Sequence, residues 1–402
     1  MKKTLLAAAL TVGFFGVAQA ETSVTLYGII DTGIGYNKVE SYDGAKIGTQ
    51  RPAGATNVDS KKLGLVNGVQ SGSRWGLKGA EDLGDGLRAV FQLESGYDSS
   101  TGKSAQGGRL FGRQATIGLQ SDSWGRLDLG RQTNIASKYF GDVASPFGAS
   151  FGQANIGATF GSANTTRWDN MVMYQTPNFS GFQFGVGYSF NTDGAQAYDV
   201  DGEDDPNVKG ITTGIRYANG PIGAALTYDQ IKRDARGLGE FDQEGSLVTA
   251  SGEKVGTVAG ARGEGKVKQW NLGLSYDFEV VKLHAGFGQT RDGLINALSY
   301  GDIKGGDVFI DDLKANLYTV GLSAPLGAGK IMASWAMADF DDYTTAGGVS
   351  NELEKQQVYS LGYTYALSKR TNVYAIGSYA KNMYGLDDTK STVAGIGLRH
   401  QF

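Results

Sequence analysis

Trp270 to Phe278 read W-N-L-G-L-S-Y-D-F, with every even position apolar or aromatic and every odd one small or polar. Phe182 to Phe190 repeat the pattern as F-Q-F-G-V-G-Y-S-F. A period of two is the strand period, so each stretch carries its large apolar side chains on one face. In a water-soluble sheet that face would turn to a core. Such stretches recur along the whole chain here, and their opposite faces are mostly Gly, Ser, Thr and Asn. That suits a barrel turned inside out, with lipid against the apolar face and water within.

The chain opens Met1-Lys2-Lys3, continues through an apolar run from Leu5 to Val17, and reaches Ala18-Gln19-Ala20. These are the three parts of a secretory signal peptide, so residues 1–20 are expected to be removed and Glu21 to begin the mature chain. The apolar run is too short to span a bilayer as a helix, and no run of 18 apolar residues follows Glu21. Residues 21–402 instead accommodate about sixteen strands of roughly ten residues with their connections. The 62 Gly and 20 Tyr suit a close-packed wall with aromatic rims, and only 6 Pro argue against a disordered linker protein. With no Cys there is no disulfide framework and no thiolate metal site. The net charge of −4 is mild, and no basic stripe with interleaved aromatics appears, so nucleic acid is not an expected partner. No cofactor and no metal is expected.

Taking alternating runs as strands and Gly/Asn/Asp clusters as turns gives sixteen strands, from 23–35 and 71–80 through 280–290 and 314–323 to 391–402. The connections alternate in length. Short ones include Gly84-Asp85, Asn178-Phe179-Ser180, Asn219-Gly220 and Ser368-Lys369-Arg370. Eight long ones lie near 36–70, 97–109, 134–166, 192–208, 231–266, 291–313, 341–355 and 382–390. Such alternation suits an antiparallel transmembrane β-barrel of the outer membrane, with tight periplasmic turns and long external loops. On the last strand Ala394, Ile396, Leu398, His400 and Phe402 share one face.

Enzyme motifs fail in context. Gly148-Ala149-Ser150-Phe151-Gly152 matches G-x-S-x-G, but that elbow needs an apolar strand before the Ser and a helix after it. Ser145-Pro146-Phe147 precedes it here, and His284 is the one His off the apolar parity. Thr101-Gly102-Lys103-Ser104 lacks the first Gly of a phosphate loop, Tyr97 standing there. The acidic run Asp199–Asp205 lacks the sixth-position Gly of a calcium loop and reads as a solvated external loop. A solute-specific channel, a hydrolase on a barrel and a plugged adhesin barrel are the competing readings.

Strand charges are more informative. Arg74 lies in S-G-S-R-W-G-L-K-G, Arg113 in R-L-F-G-R-Q-A-T and Arg167 in T-T-R-W-D-N-M. A charge on the lipid face costs about 2–4 kcal/mol at midplane, so a strand Arg should face the lumen. Arg88, Gln92 and Glu94 alternating with Ala89, Phe91 and Leu93 follow that rule. A rim or loop position is the alternative for any one of the three arginines.

At these residues the chain resembles the general-diffusion porins of Gram-negative outer membranes, of the beta-proteobacterial type. Its most specific stretches are V-T-L-Y-G from Val24, S-R-W-G-L-K-G-A-E-D-L-G-D-G-L-R-A-V-F-Q-L-E from Ser73, L-F-G-R-Q-A from Leu110, L-G-R-Q from Leu129 and the ending G-L-R-H-Q-F. The resemblance implies a sixteen-stranded homotrimeric barrel whose third external loop, here 134–166, folds inward to narrow the pore. It implies a wall cluster at Arg74, Arg113 and Arg167 facing an acid on that loop, for which Asp142 is the candidate. It further implies contact with outer-membrane lipid and lipopolysaccharide, and recognition by the barrel-assembly machinery through the strand ending at Phe402. Function is then passive diffusion of ions and small hydrophilic solutes with weak to moderate anion preference, without catalysis.

Overall fold

The computed structural model describes residues 23–198, 205–233, 265–344, 348 and 350–402, together with the short strands 246–248 and 254–257. The expected signal peptide 1–20 and residues 199–204 of the acidic run lie outside the described residues.

The strands of the wall are β1 (Ser23–Tyr42), β2 (Asn57–Asn67), β3 (Arg74–Gly84), β4 (Leu87–Gly96), β5 (Gln114–Ser121), β6 (Gly125–Thr133), β7 (Arg167–Gln175), β8 (Phe182–Ser189) and β9 (Lys209–Asn219). They continue as β10 (Ile222–Arg233), β11 (Gly265–Asp277), β12 (Lys282–Ala297), β13 (Gly306–Leu326), β14 (Gly329–Phe340), β15 (Gln356–Ala366), β16 (Thr371–Lys381) and β17 (Lys390–Gln401). All pairings between them are antiparallel, and the sheet closes where β1 pairs with β17, Ile34 opposite Ile396. At the seam Gly28 and Phe402 exchange two backbone hydrogen bonds of 3.0 and 3.1 Å. Closure leaves no sheet edge inside the bilayer, where an unpaired backbone group costs several kcal/mol.

Seventeen strands fill sixteen positions, because β2 and β3 lie end to end beside β1. The upper half of β1, Thr32–Tyr42, pairs with β2, and its lower half, Ser23–Ile29, pairs with β3. The barrel is therefore sixteen-stranded, but the connection expected at 36–70 contains a strand. The connection expected at 291–313 also contracts, to 298–305, since β12 and β13 pair past Arg291 through irregularities at Arg291/Gly293 and Leu294/Ala297. Both corrections have one cause. Strands standing beyond the bilayer have no lipid to enforce apolar-out alternation, and each bulge resets the period of two. At the opposite end the connections are tight. Asp85 (φ 51°) and Gly86 (φ 74°) join β3 to β4 as a two-residue hairpin of the kind that needs two left-handed residues.

Side-chain exposure is inverted relative to a soluble protein. On β11 Leu272, Leu274 and Tyr276 are 40 %, 52 % and 43 % exposed, while Asn271 is fully buried. Phe182, Phe184 and Val186 on β8 and Ile396 and Leu398 on β17 face outward likewise. Leu272→Arg is expected to cost about 2–4 kcal/mol of stability. Folding titrations into lipid vesicles measure this, and a variant as stable as the parent would refute the lipid-facing assignment.

The odd parity does not simply meet water. Asn271, Thr227, Thr212 and Thr319 are buried because the segment 134–166 turns into the barrel and covers them. It forms two short helices, α1 (Ile135–Tyr139) and α2 (Gly141–Ala144), followed by three 3-10 turns. Phe140 and Phe160, ring centroids 5.0 Å apart, pack with Ala144, Ala158 and Ala163 against Ala315 and Leu317 of the wall. The wall is small where the loop presses on it: a Cβ at Gly273 would come within 3.1 Å of the Phe140 ring.

Candidate functional site

The inward loop is fixed at its root by a buried polar knot. Asn134 caps α1, its Oδ1 accepting from Ser137 N at 3.1 Å. Its Nδ2 donates to the Ser162 carbonyl and to Asp229 Oδ1 on β10, both at 2.8 Å. Ile135 N donates to Thr212 Oγ1 on β9 at 2.8 Å, and Asn271 Nδ2 reaches Ser162 Oγ at 3.0 Å. Asn134 and Asp229 are fully buried, where an unmade hydrogen bond costs more than a made one gains. The loop thus leans on β8–β13 and leaves the lumen open along β1–β7. Its tip is held at the other side by Phe151 N donating to Gln70 O at 3.2 Å.

Along that open wall the structure brings Arg74, Arg113 and Arg167 together. Arg74 and Arg167 each lie within electrostatic reach of Arg113 and Glu94, Arg167 also of Arg131, and Arg74 of Arg399. Arg113 Nε donates to Glu94 Oε1 at 2.6 Å, and both side chains are about nine-tenths buried. The second carboxylate oxygen, Oε2, accepts from Tyr27 OH at 2.9 Å, whose oxygen in turn accepts from Gln92 Nε2 at 2.7 Å. Arg74 Nε donates to Gly72 O at 3.0 Å. Glu94 is therefore the acid this group engages, and the register explains why: Glu94 lies opposite Gly76 and Gln92 opposite Lys78, on the same parity as Arg74.

Toward the long-loop end Arg131 Nη1 and Arg109 Nη1 both reach Asp169, at 2.6 and 2.7 Å, and Arg109 Nη2 bonds Asp193 at 2.7 Å. These pairs tie the connection 97–113 and the connection after β8 onto β7. Arg131 stands at a register shift between Gly130 and Gln132, where strand parity gives no direction. A bulge re-aims side chains in this way. Arg131, Arg399 and Asp169 did not emerge as site residues from the sequence. Arg131 and Arg399 do fall within the signature stretches L-G-R-Q and G-L-R-H-Q-F.

The structure does not bring Asp142 to the arginines. It is exposed on α2, and its described electrostatic partners are His284 on β12 and Lys330 on β14, across the barrel from β3 and β5. Beside it His284 Nδ1 lies 2.9 Å from the Val143 carbonyl. The expected opposition fails because the four-residue helix lies flat on the wall behind it. The one cation of the loop, Lys138, is 3.3 Å from Gln132 Oε1, and burial pushes its ammonium down to about 8. Five guanidinium groups (74, 113, 131, 167 and 399) thus meet three carboxylates, Asp31, Glu94 and Asp169. What this geometry can do is hold positive potential beside a water path; it brings no reacting pair together.

Comparison with known proteins gives the same architecture. The sequence signature described as Gram-negative porin matches residues 6–383. An outer membrane porin protein of Bordetella pertussis is 55% identical over the whole of both chains. Outer membrane porin protein 32 of Delftia acidovorans is 32% identical, again over the whole of both. Among solved structures, an anion-selective porin from Comamonas acidovorans superposes with a TM-score of 0.66 at 28% identity, covering 95% of this chain and all of that one. A sixteen-position inverted barrel, an inward third loop and this depth of similarity have one reading: the chain belongs to the Gram-negative porin family and forms an outer-membrane channel for diffusion.

Proposed function

We propose that the channel prefers small anions weakly to moderately, with Arg74, Arg113 and Arg167 as its selective surface and the loop 134–166 as the element that narrows it. The excess of guanidinium groups over carboxylates along β1–β7 carries this reading. In a narrow aqueous path with low-dielectric walls, fixed positive charge focuses the field and raises the local anion concentration. The loop does not offset it, since Asp142 and Lys138 are its only charged residues. The anion-selective neighbour from Comamonas acidovorans supports the same direction. Solutes pass unchanged. Ser150 N donates to Phe147 O, and no hydrogen bond joins Ser150 to His284 among the described residues.

A trimer is part of the reading. The outer wall carries an apolar depression of about 520 Å³ where Ala375, Gly377 and Ala394 are ringed by Leu63, Leu361 and Ile396. A depression of this kind suits self-association better than uniform lipid contact. Planar-bilayer recording tests both parts. In a potassium chloride gradient the zero-current potential should take the sign of anion preference, and conductance should close in three equal steps. A clear cation preference would sink the selectivity, and single-step closure would sink the trimer.

A further inference from the structure

On the external side of the inward loop lies a second, chemically different space. A cavity of about 400 Å³ opens between the loop tip, the β1–β17 wall and the connection that contains Tyr300. Its size falls in the range of small-molecule sites. No formally charged side chain lines it, although the arginine group begins next to its Gly72 edge. Its lining is amides and hydroxyls, among them Asn37, Gln70, Ser150 and Gln153, with the rings of Phe151 and Tyr300.

Four polar atoms of this lining are buried without a hydrogen-bond partner among the described residues: Asn37 Oδ1, Gln153 Oε1, Tyr300 OH and Ser391 Oγ. Two of them are amide oxygens, which can only accept, so a satisfying ligand must present O–H or N–H groups. Gln153 is already held through its other end, Nε2 donating to Ser378 Oγ at 3.1 Å and to the Ser391 carbonyl at 3.3 Å. The tip that carries Gln153 is also strained. Phe151 has φ 66°, a left-handed conformation that bulky residues adopt only where their surroundings impose it. Edge-on packing against Phe147 (5.6 Å) and Tyr374 (5.7 Å) imposes it here. Strain maintained at the wall of an orphan-lined cavity is the pattern of a preorganised site.

We propose that this cavity is a binding subsite for an uncharged polyhydroxy solute of monosaccharide size, separate from the arginine-lined path. An ion here would lose hydration with no countercharge to meet, whereas a polyol brings donors to the orphan oxygens and C–H faces to the two rings. The test is the potassium chloride conductance of the intact channel under increasing D-glucose. Glucose should reduce it saturably, beyond the change in bulk conductivity. The Tyr300→Phe, Ser391→Ala double variant removes only atoms that have no partner in the fold, so the barrel should remain intact. It should raise the half-saturating glucose concentration about fivefold or more, at roughly 1 kcal/mol per lost hydrogen bond. Asn37→Leu should do the same independently. Zero-current potentials should stay at the parent value in every variant, which separates this site from the anion selectivity. Conductance that follows bulk conductivity alone, or variants that saturate like the parent, would overturn the proposal.

Discussion

Replacing Arg74, Arg113 and Arg167 together by Gln is expected to lower the chloride-over-potassium permeability ratio by about tenfold or more in dilute salt. A unit charge about 6 Å from a passing ion is worth roughly 0.7 kcal/mol at a dielectric constant of 80 and roughly 2.8 kcal/mol at 20. Three such charges removed from one stretch of wall exceed the 1.4 kcal/mol that corresponds to tenfold, even near the weak limit. The sign follows from what stays behind. Glu94 loses its ion pair with Arg113 and keeps only its hydrogen bond from Tyr27, so the region turns toward cation preference. Glu94→Gln should move the ratio the other way. Screening adds a second signature: the Debye length falls from about 30 Å at 0.01 M to about 3 Å at 1 M, so parent and variant should converge in concentrated salt. Zero-current potentials across salt gradients at both ionic strengths read all of this. An unchanged ratio in dilute salt would mean that the selective surface lies elsewhere.

Asn134→Ala is expected to release the root of the inward loop. The substitution removes the helix cap to Ser137 and the two donations to Ser162 and Asp229, leaving a fully buried carboxylate short of a partner. A lost cap costs about 1 kcal/mol and a lost hydrogen bond to a charged group about 1.5–3 kcal/mol, so the local cost is about 3–4 kcal/mol. Since the barrel wall does not depend on this knot, the cost should appear as local opening. The amides of Ile135 and Ser137 should exchange about a hundredfold faster or more, and single-channel currents should flicker where the parent is quiet. Asn134→Asp keeps the capping oxygen but sets a second acid against Asp229, and should be at least as disruptive. Exchange rates equal to the parent's would show that the loop is held by its apolar contacts around Phe140 and not by Asn134.

The address and the wall were legible along the chain because lipid imposes a local rule. Every second residue of a spanning strand must be apolar, so W-N-L-G-L-S-Y-D-F could be read without knowing what any strand paired with. The rule stops at the bilayer surface, which is why β2 and the upper parts of β12 and β13 escaped it. It also says nothing about the inner parity, where Gly273 and Asn271 looked like water-facing positions and instead lie under Phe140 and Ser162.

Sequence by itself determined an inside-out antiparallel barrel of sixteen positions, its tight and long ends, and strand arginines worth watching. Tertiary structure alone decided which side the loop 134–166 leans on, that Glu94 rather than Asp142 meets the arginines, and that Arg131 and Arg399 join them. The physical reason is the range of the interactions. Alternation is a nearest-neighbour property enforced by the solvent outside, whereas the position of a loop inside a closed wall depends on contacts such as Asn134 with Asp229, 95 positions apart in the chain.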